Sequence, residues 1–200
     1  MALQMTTAWL NAILDHGGTL ITHVSLHDDF PGATGTNELS GGSYARQSIT
    51  WNSASAGNLD SSNTPTVPTP AASSVAWIGF WNASTAGTFR GYAPAGGTPK
   101  IGLSVDTATD VFTLLSHGWS DDQTIVFFGG TIPGGLTEGT IYYVINSATD
   151  TFKVSATQGG GAIDITSAND EYCKVSDIAV ETYTNAGQYQ VSDADISAVL

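Results

Sequence analysis

The apolar positions of this chain fall in short groups, and only one group has helical spacing. Residues 6–16, "TTAWLNAILDH", place Trp9, Leu10, Ile13 and Leu14 at spacings of one, three and four, which gathers them on one helical face. Thr6 or Thr7 supplies the cap, and Gly17-Gly18 the stop. A helix this short is marginal alone, so its apolar face must dock on a sheet of the same chain or on a neighbouring subunit.

The remaining groups read as strands. Residues 20–27 alternate, with Leu20, Thr22, Val24 and Leu26 on one side, and residues 43–51 carry Tyr44, Ala45, Ile49 and Trp51. Residues 52–73 are rich in Ser, Asn, Thr and Pro, and predict a long loop or a Pro-punctuated edge strand. "SVAWIGFW", 74–81, predicts one nearly continuous apolar strand, with Val75, Trp77, Gly79 and Trp81 facing one way and Ala76, Ile78 and Phe80 the other. Both faces are apolar, so both must be covered. "TAGTFRGYAP", 85–94, supplies the returning half of a hairpin.

Near residue 103 the texture changes to short strands separated by Gly, Asn and Asp turns, and "TATDVFTL" (107–114) is echoed by "SATDTFKV" (147–154) at an offset of 40. Two copies are too few for a solenoid, so the echo reads as a repeated strand-plus-turn unit. After it, Val180, Thr182 and Thr184 alternate with Glu181 and Tyr183, and "NAG" predicts a closing hairpin. The fold class is therefore all-β with one short N-terminal helix. Residues 1–102 and 177–200 form a small β-sandwich or barrel, and 103–176 an inserted small β-barrel-like domain.

Composition sharpens this. Charged residues are only 12% and glycines number 23, which suits tight turns and short strands rather than long helices. The net charge of -13, with five Lys plus Arg, rules out a basic nucleic-acid groove and disfavours anionic membranes. Cys173 is the single cysteine, so no intrachain disulfide is expected, and its apolar flanks predict a buried thiol. The first residues lack the pattern of a signal peptide, and no apolar run is long enough to span a bilayer.

Candidate chemistry concentrates in residues 21–51. His16, His23, His27 and His117 are available as bases, with Ser and Asp nearby, but the chain has no G-x-S-x-G elbow and no supported Cys-His arrangement. His23 and His27 are four apart without the Glu of H-E-x-x-H, and on a strand they stand too far apart to share one ion. Asp28, Asp29, Asn37 and Glu38 offer oxygens to calcium without EF-hand spacing. No cofactor, metal site or catalytic set is expected. His27, Asp28 and Asp29 read better as a strand end bonded to a Pro31-Gly32 turn, and Arg46 as a buried or interfacial cation paired with Asp28, Asp29 or Glu38. Trp51, Trp77, Trp81 and Trp119, with Tyr92, Tyr142 and Tyr143, offer stacking surfaces to a glycan, although aromatics at strand spacing more often form cores and interfaces.

The same segment carries a resemblance. "SLHDDFPGATGTNELSGGSYARQSITW", preceded by the Leu10–His16 helix, resembles small virion proteins of tailed bacteriophages, described as tail fibre proteins. The matching features are Leu26-His27, Pro31-Gly32, Asn37-Glu38 and Gly42 to Arg46, then "WIGFW", "GTFRGYAP" and "VETYTNAGQYQV". The middle of the chain, "SHGWSDDQTIVFF" onward, resembles a β module of phage fibres and spikes. The resemblance implies a non-enzymatic structural protein of the virion, a tail fibre or surface component, with capsid decoration as the alternative. A glycan-binding module or a polymer-degrading enzyme ranks below both. It implies homo-oligomers, trimers first, and other virion proteins as partners, either the major capsid protein or tail proteins, with a host surface glycan as a further partner. The expected contact or structural residues are Trp9, Leu10, Ile13, Leu14, His27, Asp28, Tyr44, Arg46, Trp77 and Trp81.

Overall fold

The computed structural model describes residues 5–197. They form two compact units: unit 1 comprises the residues up to Tyr92 together with those from Glu181, and unit 2 is Ala93–Val180. Most of the ordered backbone is strand, with one N-terminal helix.

Helix α1, Thr7–Thr19, is capped by Thr6, whose hydroxyl accepts the Trp9 N–H at 3.3 Å. It does not stop at Gly17-Gly18 but runs through both to a cap at Leu20. Packing explains the overrun. A Cβ on Gly18 would stand 3.0 Å from Leu59 Cδ2 and 3.3 Å from Trp51 Cδ1, so the bare glycine lets the last turn lie flat on its neighbours. Leu10 and Leu14 are buried on the same side. Asn11 Oδ1 and Asp15 Oδ1 accept the backbone N–H groups of Gly57 and Ala54, at 2.9 and 2.6 Å.

The strands of unit 1 are β1 (His23–His27), β2 (Gln47–Ser48), β3 (Asn58–Asp60), β4 (Thr66–Thr69), β5 (Ser73–Val75), β6 (Trp77–Trp81) and β7 (Phe89–Pro94), the last ending at the start of unit 2. One sheet has the order β2-β1-β6-β7. The single strand expected over 74–81 is instead two, because the chain changes partner at Ala76: β6 pairs with β1, whereas β5 pairs with β14 (Glu181–Tyr183). The segment 52–73 is not a long loop. Its β3 and β4 pair antiparallel with β16 (Asp195–Ser197) and β15 (Gly187–Gln190). The closing hairpin expected around "NAG" is therefore absent, since β14 and β15 each join an earlier strand rather than each other.

Unit 2 contains β8 (Ser104–Asp106), β9 (Val111–Thr113), β10 (Thr124–Phe128), β11 (Ile141–Ile145), β12 (Thr151–Ser155) and β13 (Lys174–Asp177), in the sheet order β13-β10-β11-β12-β9-β8. Its core draws on every strand and includes Phe112, Ile125, Phe127, Val144, Phe152 and Val175. Burial pushes the Cys173 thiol up to about 12, so it packs as a small apolar side chain. The sheets of both units are open: none closes into a barrel. In unit 2 Lys100, four residues before the edge strand β8, bridges to Val175 of the other edge strand, β13.

The sequence echo has a structural counterpart. The offset of 40 carries Phe112 onto Phe152, and these are direct cross-strand partners with rings stacked 5.3 Å apart. Hairpins β8–β9 and β11–β12 thus meet along the β9–β12 pair. Asp110 and Asp150 are related by the same offset, and each accepts a distant backbone N–H, from Ile165 at 2.9 Å and Ser116 at 2.7 Å.

A buried polar network and an exposed helix stripe

In unit 1, register sets the site. His23 opposes Trp81, Ser25 opposes Gly79 and His27 opposes Trp77, so these six residues share one face of the sheet. Val24, Leu26 and Ile78 lie on the opposite face and are also buried.

On the first face a chain of hydrogen bonds forms. Trp81 Nε1–H donates to Ser25 Oγ at 2.8 Å, and Ser25 Oγ lies 2.7 Å from His27 Nε2. His27 Nδ1 lies 2.7 Å from the Thr36 carbonyl, which can only accept, so Nδ1 carries the proton and the Ser25 hydroxyl donates to Nε2. Every polar atom is satisfied with His27 neutral. Burial is the main influence on this imidazole and holds it below its ordinary value, against the Thr36 bond and nearby Glu38, which act the other way.

A serine bonded to a histidine resembles a nucleophile and its base. This pair cannot serve as one. Ser25 and His27 are both 0% exposed, and Gly79 is pressed against them. A Cβ built on Gly79 falls inside the contact shells of Ser25 Oγ and His27 Nε2, so no room remains for a substrate. The third position, where a triad holds a carboxylate, is a peptide carbonyl.

Beside this chain lies an ion pair. Arg46 donates from Nε to Glu38 Oε1 at 2.8 Å and from Nη2 to Oε2 at 2.6 Å, a two-pronged fit. Its Nη1 donates to the Ala86 carbonyl at 2.7 Å, and its Cζ sits 3.4 Å from the centre of the Trp81 ring. Tyr44 donates to Glu38 Oε1 at 2.9 Å and accepts the Leu26 N–H at 3.1 Å. Burial raises the Tyr44 phenol well above its usual value, so it remains a donor. The network joins segment 36–46, β1 and the 82–88 turn around Trp81. The Pro31–Thr36 loop closes over the same ring, with Gly35 at φ +74° leaving no space for a side chain there.

His27, Tyr44, Arg46, Trp77 and Trp81 thus lie in one internal assembly, in which Trp77 packs edge-on against Phe30 and Tyr92. Asp28 does not join it: its side chain is exposed. Asp29 accepts the Phe30 N–H, and the Asn37 amide donates to the Phe30 carbonyl, so the four oxygen-bearing residues of this loop do not converge. Among the described residues no group of three His, Cys, Asp or Glu side chains is placed to hold a metal ion. No motif in the sequence marks Ser25, Thr36 and Gly79 as members of the network. The one available signal was a glycine inside an apolar strand, which marks close approach of other groups.

The helix residues divide. Leu10 and Leu14 are buried against unit 1, whereas Trp9 is 49% and Ile13 47% exposed. No helix among the described residues is long and apolar enough to cross a membrane.

The model of the Gp80 family, described as podophage GP4 fiber I protein gp80, matches residues 4–113, just over half of the chain. The chain belongs to this family. It is a fibre-type structural protein of a bacteriophage virion. Neither the curated proteins nor the solved structures give a match. The matched range of the Gp80 family contains α1 and the whole Ser25–His27–Glu38–Arg46–Trp81 network, so the family's shared segment includes the framework that holds unit 1 together. Membership of a fibre protein family supports a structural role over an enzymatic one, as does the sealed serine–histidine pair.

The neutral imidazole gives a pH test. Because the folded value of His27 is lowered, the unfolded chain takes up a proton first as pH falls below about 6.5. Stability is therefore full above that pH and is lost as pH falls toward the folded value. The urea midpoint should drop between about pH 7 and pH 5. At pH 7 the histidine nitrogen shifts should show His27 as the Nδ1–H tautomer.

Proposed function

We propose that this fibre protein assembles as a homo-oligomer, a trimer in the first instance, through the outer stripe of α1. The observation that carries the proposal is the row of Trp9, Ile13 and Leu20, which are 49%, 47% and 39% exposed and fall within about 40° of one another around the helix axis. The stripe, which also includes the exposed His16, carries no acidic side chain on a chain of net -13, so copies meeting there repel least. Exposed aromatics of this kind anchor interfaces. Trp77 and Trp81, at 1% and 7% exposure, serve the interior of the subunit instead. Other virion proteins are the expected partners of the assembled fibre. No observation favours decoration of the capsid.

We also read unit 1 as a small sandwich, supported by its four-stranded sheet and three ribbons, and unit 2 as a barrel-like insertion, supported by the Lys100–Val175 bridge. The Ala179 N–H donates to the Ala95 carbonyl at 2.8 Å, so unit 2 begins and ends at neighbouring points.

Sedimentation velocity tests the assembly. The native chain should sediment as an oligomer, and the Trp9→Ser, Ile13→Glu double variant as a monomer with an unchanged circular dichroism spectrum. A monomeric native chain, or an oligomer indifferent to the double change, would overturn the proposal.

A further inference from the structure

In unit 1 the last described strand meets its partner through two like charges. β16 lies antiparallel on β3, with Asp195 directly opposite Asp60, Ile196 opposite Leu59 and Ser197 opposite Asn58. Two backbone bonds set how near the carboxyls come. The Ser61 N–H donates to the Ala194 carbonyl at 2.9 Å, while the Asp60 carbonyl turns away from β16 and accepts the Asn52 N–H at 2.9 Å. Asp60 and Asp195 are therefore a non-hydrogen-bonded pair, the kind whose facing side chains stand closest.

The two faces of this ribbon pull in opposite directions. On the inner face Leu59 is 1% exposed and bears on Gly18 of α1, and its partner Ile196 is half-buried. Val191 and Ala194, just ahead of β16, are buried and anchor its approach. On the outer face Asp60 and Asp195 oppose each other with Asp193 close by, and no cation among the described residues offsets them. The Asn58 amide alone favours the charged Asp195, and it also donates to Asp60 Oδ1. α1, packed on β3, brings a further acid, Asp15, whose Oδ1 is taken by the Ala54 N–H, and its His16 lies on the outer stripe. The neighbouring residues Ser61, Ser62 and Asn63 are uncharged. Lost hydration, the bond to Asp60 and the charges of Asp193 and Asp60 all raise the Asp195 carboxyl above its ordinary value.

We infer that β3 and β16 form an acid-set clasp: one proton held between Asp60 and Asp195 latches the last described strand, and loss of that proton frees it from β3. Release bares the β3 edge and the Leu59 side chain on which α1 ends, while Val191 and Ala194 hold the rest of the unit closed. The closed clasp binds the proton more tightly than the open one. Closure is therefore complete below the ordinary carboxylate value of about 3.9 and weakens as pH rises through the raised value of Asp195. This is opposite in sign to His27, whose contribution is lost as pH falls. The inference is independent of the α1 assembly stripe.

Amide hydrogen exchange of the full chain, followed by NMR at about pH 7.5 and about pH 5, tests the clasp. Leu59 and Ile196 form the next hydrogen-bonded pair of the ladder, so their amides report its opening. Corrected for the intrinsic pH dependence of exchange, their protection should be roughly fivefold higher at the lower pH, the upper scale of one facing charge pair. Val126 and Val175 of unit 2 should not follow. Asp60→Asn and Asp195→Asn each keep a hydrogen bond across the pair without the second charge, and should hold the high protection at both pH values. Protection of Leu59 and Ile196 that stays level or falls toward pH 5, or Asn variants that respond to pH as the native chain does, would overturn the inference.

Discussion

Gly79→Ala should unfold unit 1 or leave it barely stable. The added methyl has nowhere to go: Ser25 Oγ and His27 Nε2 lie within its contact shell, and Phe89 Cε2 is 3.0 Å away. Relief requires Ser25 or His27 to move, which breaks the chain from Trp81 through Ser25 to His27 and strands buried polar atoms. Overpacking and the lost bonds together cost about 3 kcal/mol or more, a large part of a domain's stability. Gly91→Ala is the matched control. It lies in β7, and a Cβ there meets nothing within 4 Å. Thermal melts followed by near-ultraviolet circular dichroism should show the Gly79 variant losing its cooperative transition, and the Gly91 variant melting like the native chain.

Arg46→Ala should cost about 3 kcal/mol, because it leaves Glu38 partly buried without its counter-ion. It also uncaps the Trp81 ring and frees the Ala86 carbonyl. Arg46→Lys should recover little, since an ammonium cannot make the paired contact with both carboxylate oxygens while lying over the indole. One further measurement separates an electrostatic cause from lost packing. The double variant Glu38→Leu, Arg46→Met should be more stable than Arg46→Ala alone. Urea titrations at pH 7 give the result; a double variant less stable than Arg46→Ala would point to packing as the source.

The sequence made some of this legible and hid the rest for physical reasons. The α1 cap and its apolar face follow from local spacing. The continuation through Gly17-Gly18 does not, because it depends on Trp51 and Leu59, which lie 33 and 41 positions beyond Gly18. Arg46 stood out because cations are so scarce, and Asp28, Asp29 and Glu38 were all candidate partners. Only the bridge between His27 and Glu38, which sets Glu38 alongside β1, decides among them. The polar chain through Ser25 was hidden by its ordinary residue types; what makes it a unit is the register that puts Ser25 opposite Gly79. Around "NAG" the alternation of polar and apolar residues is real, but alternation does not say which strand a strand will join.

The pairing of β14, β15 and β16 with β5, β4 and β3 also sets an order of events during synthesis. Ribosomes release the chain from its N-terminal end, and β3 must wait for β16, more than 130 positions later. The ladders of unit 2 close within Ala93–Val180, so that unit can complete itself while its host still lacks three strands. Until residues 181–197 emerge, β3, β4 and β5 are bare edges, open to the wrong neighbour. The finished helix-bearing unit, and with it any competence to build a fibre, is therefore completed after unit 2 although its first strands are made before it.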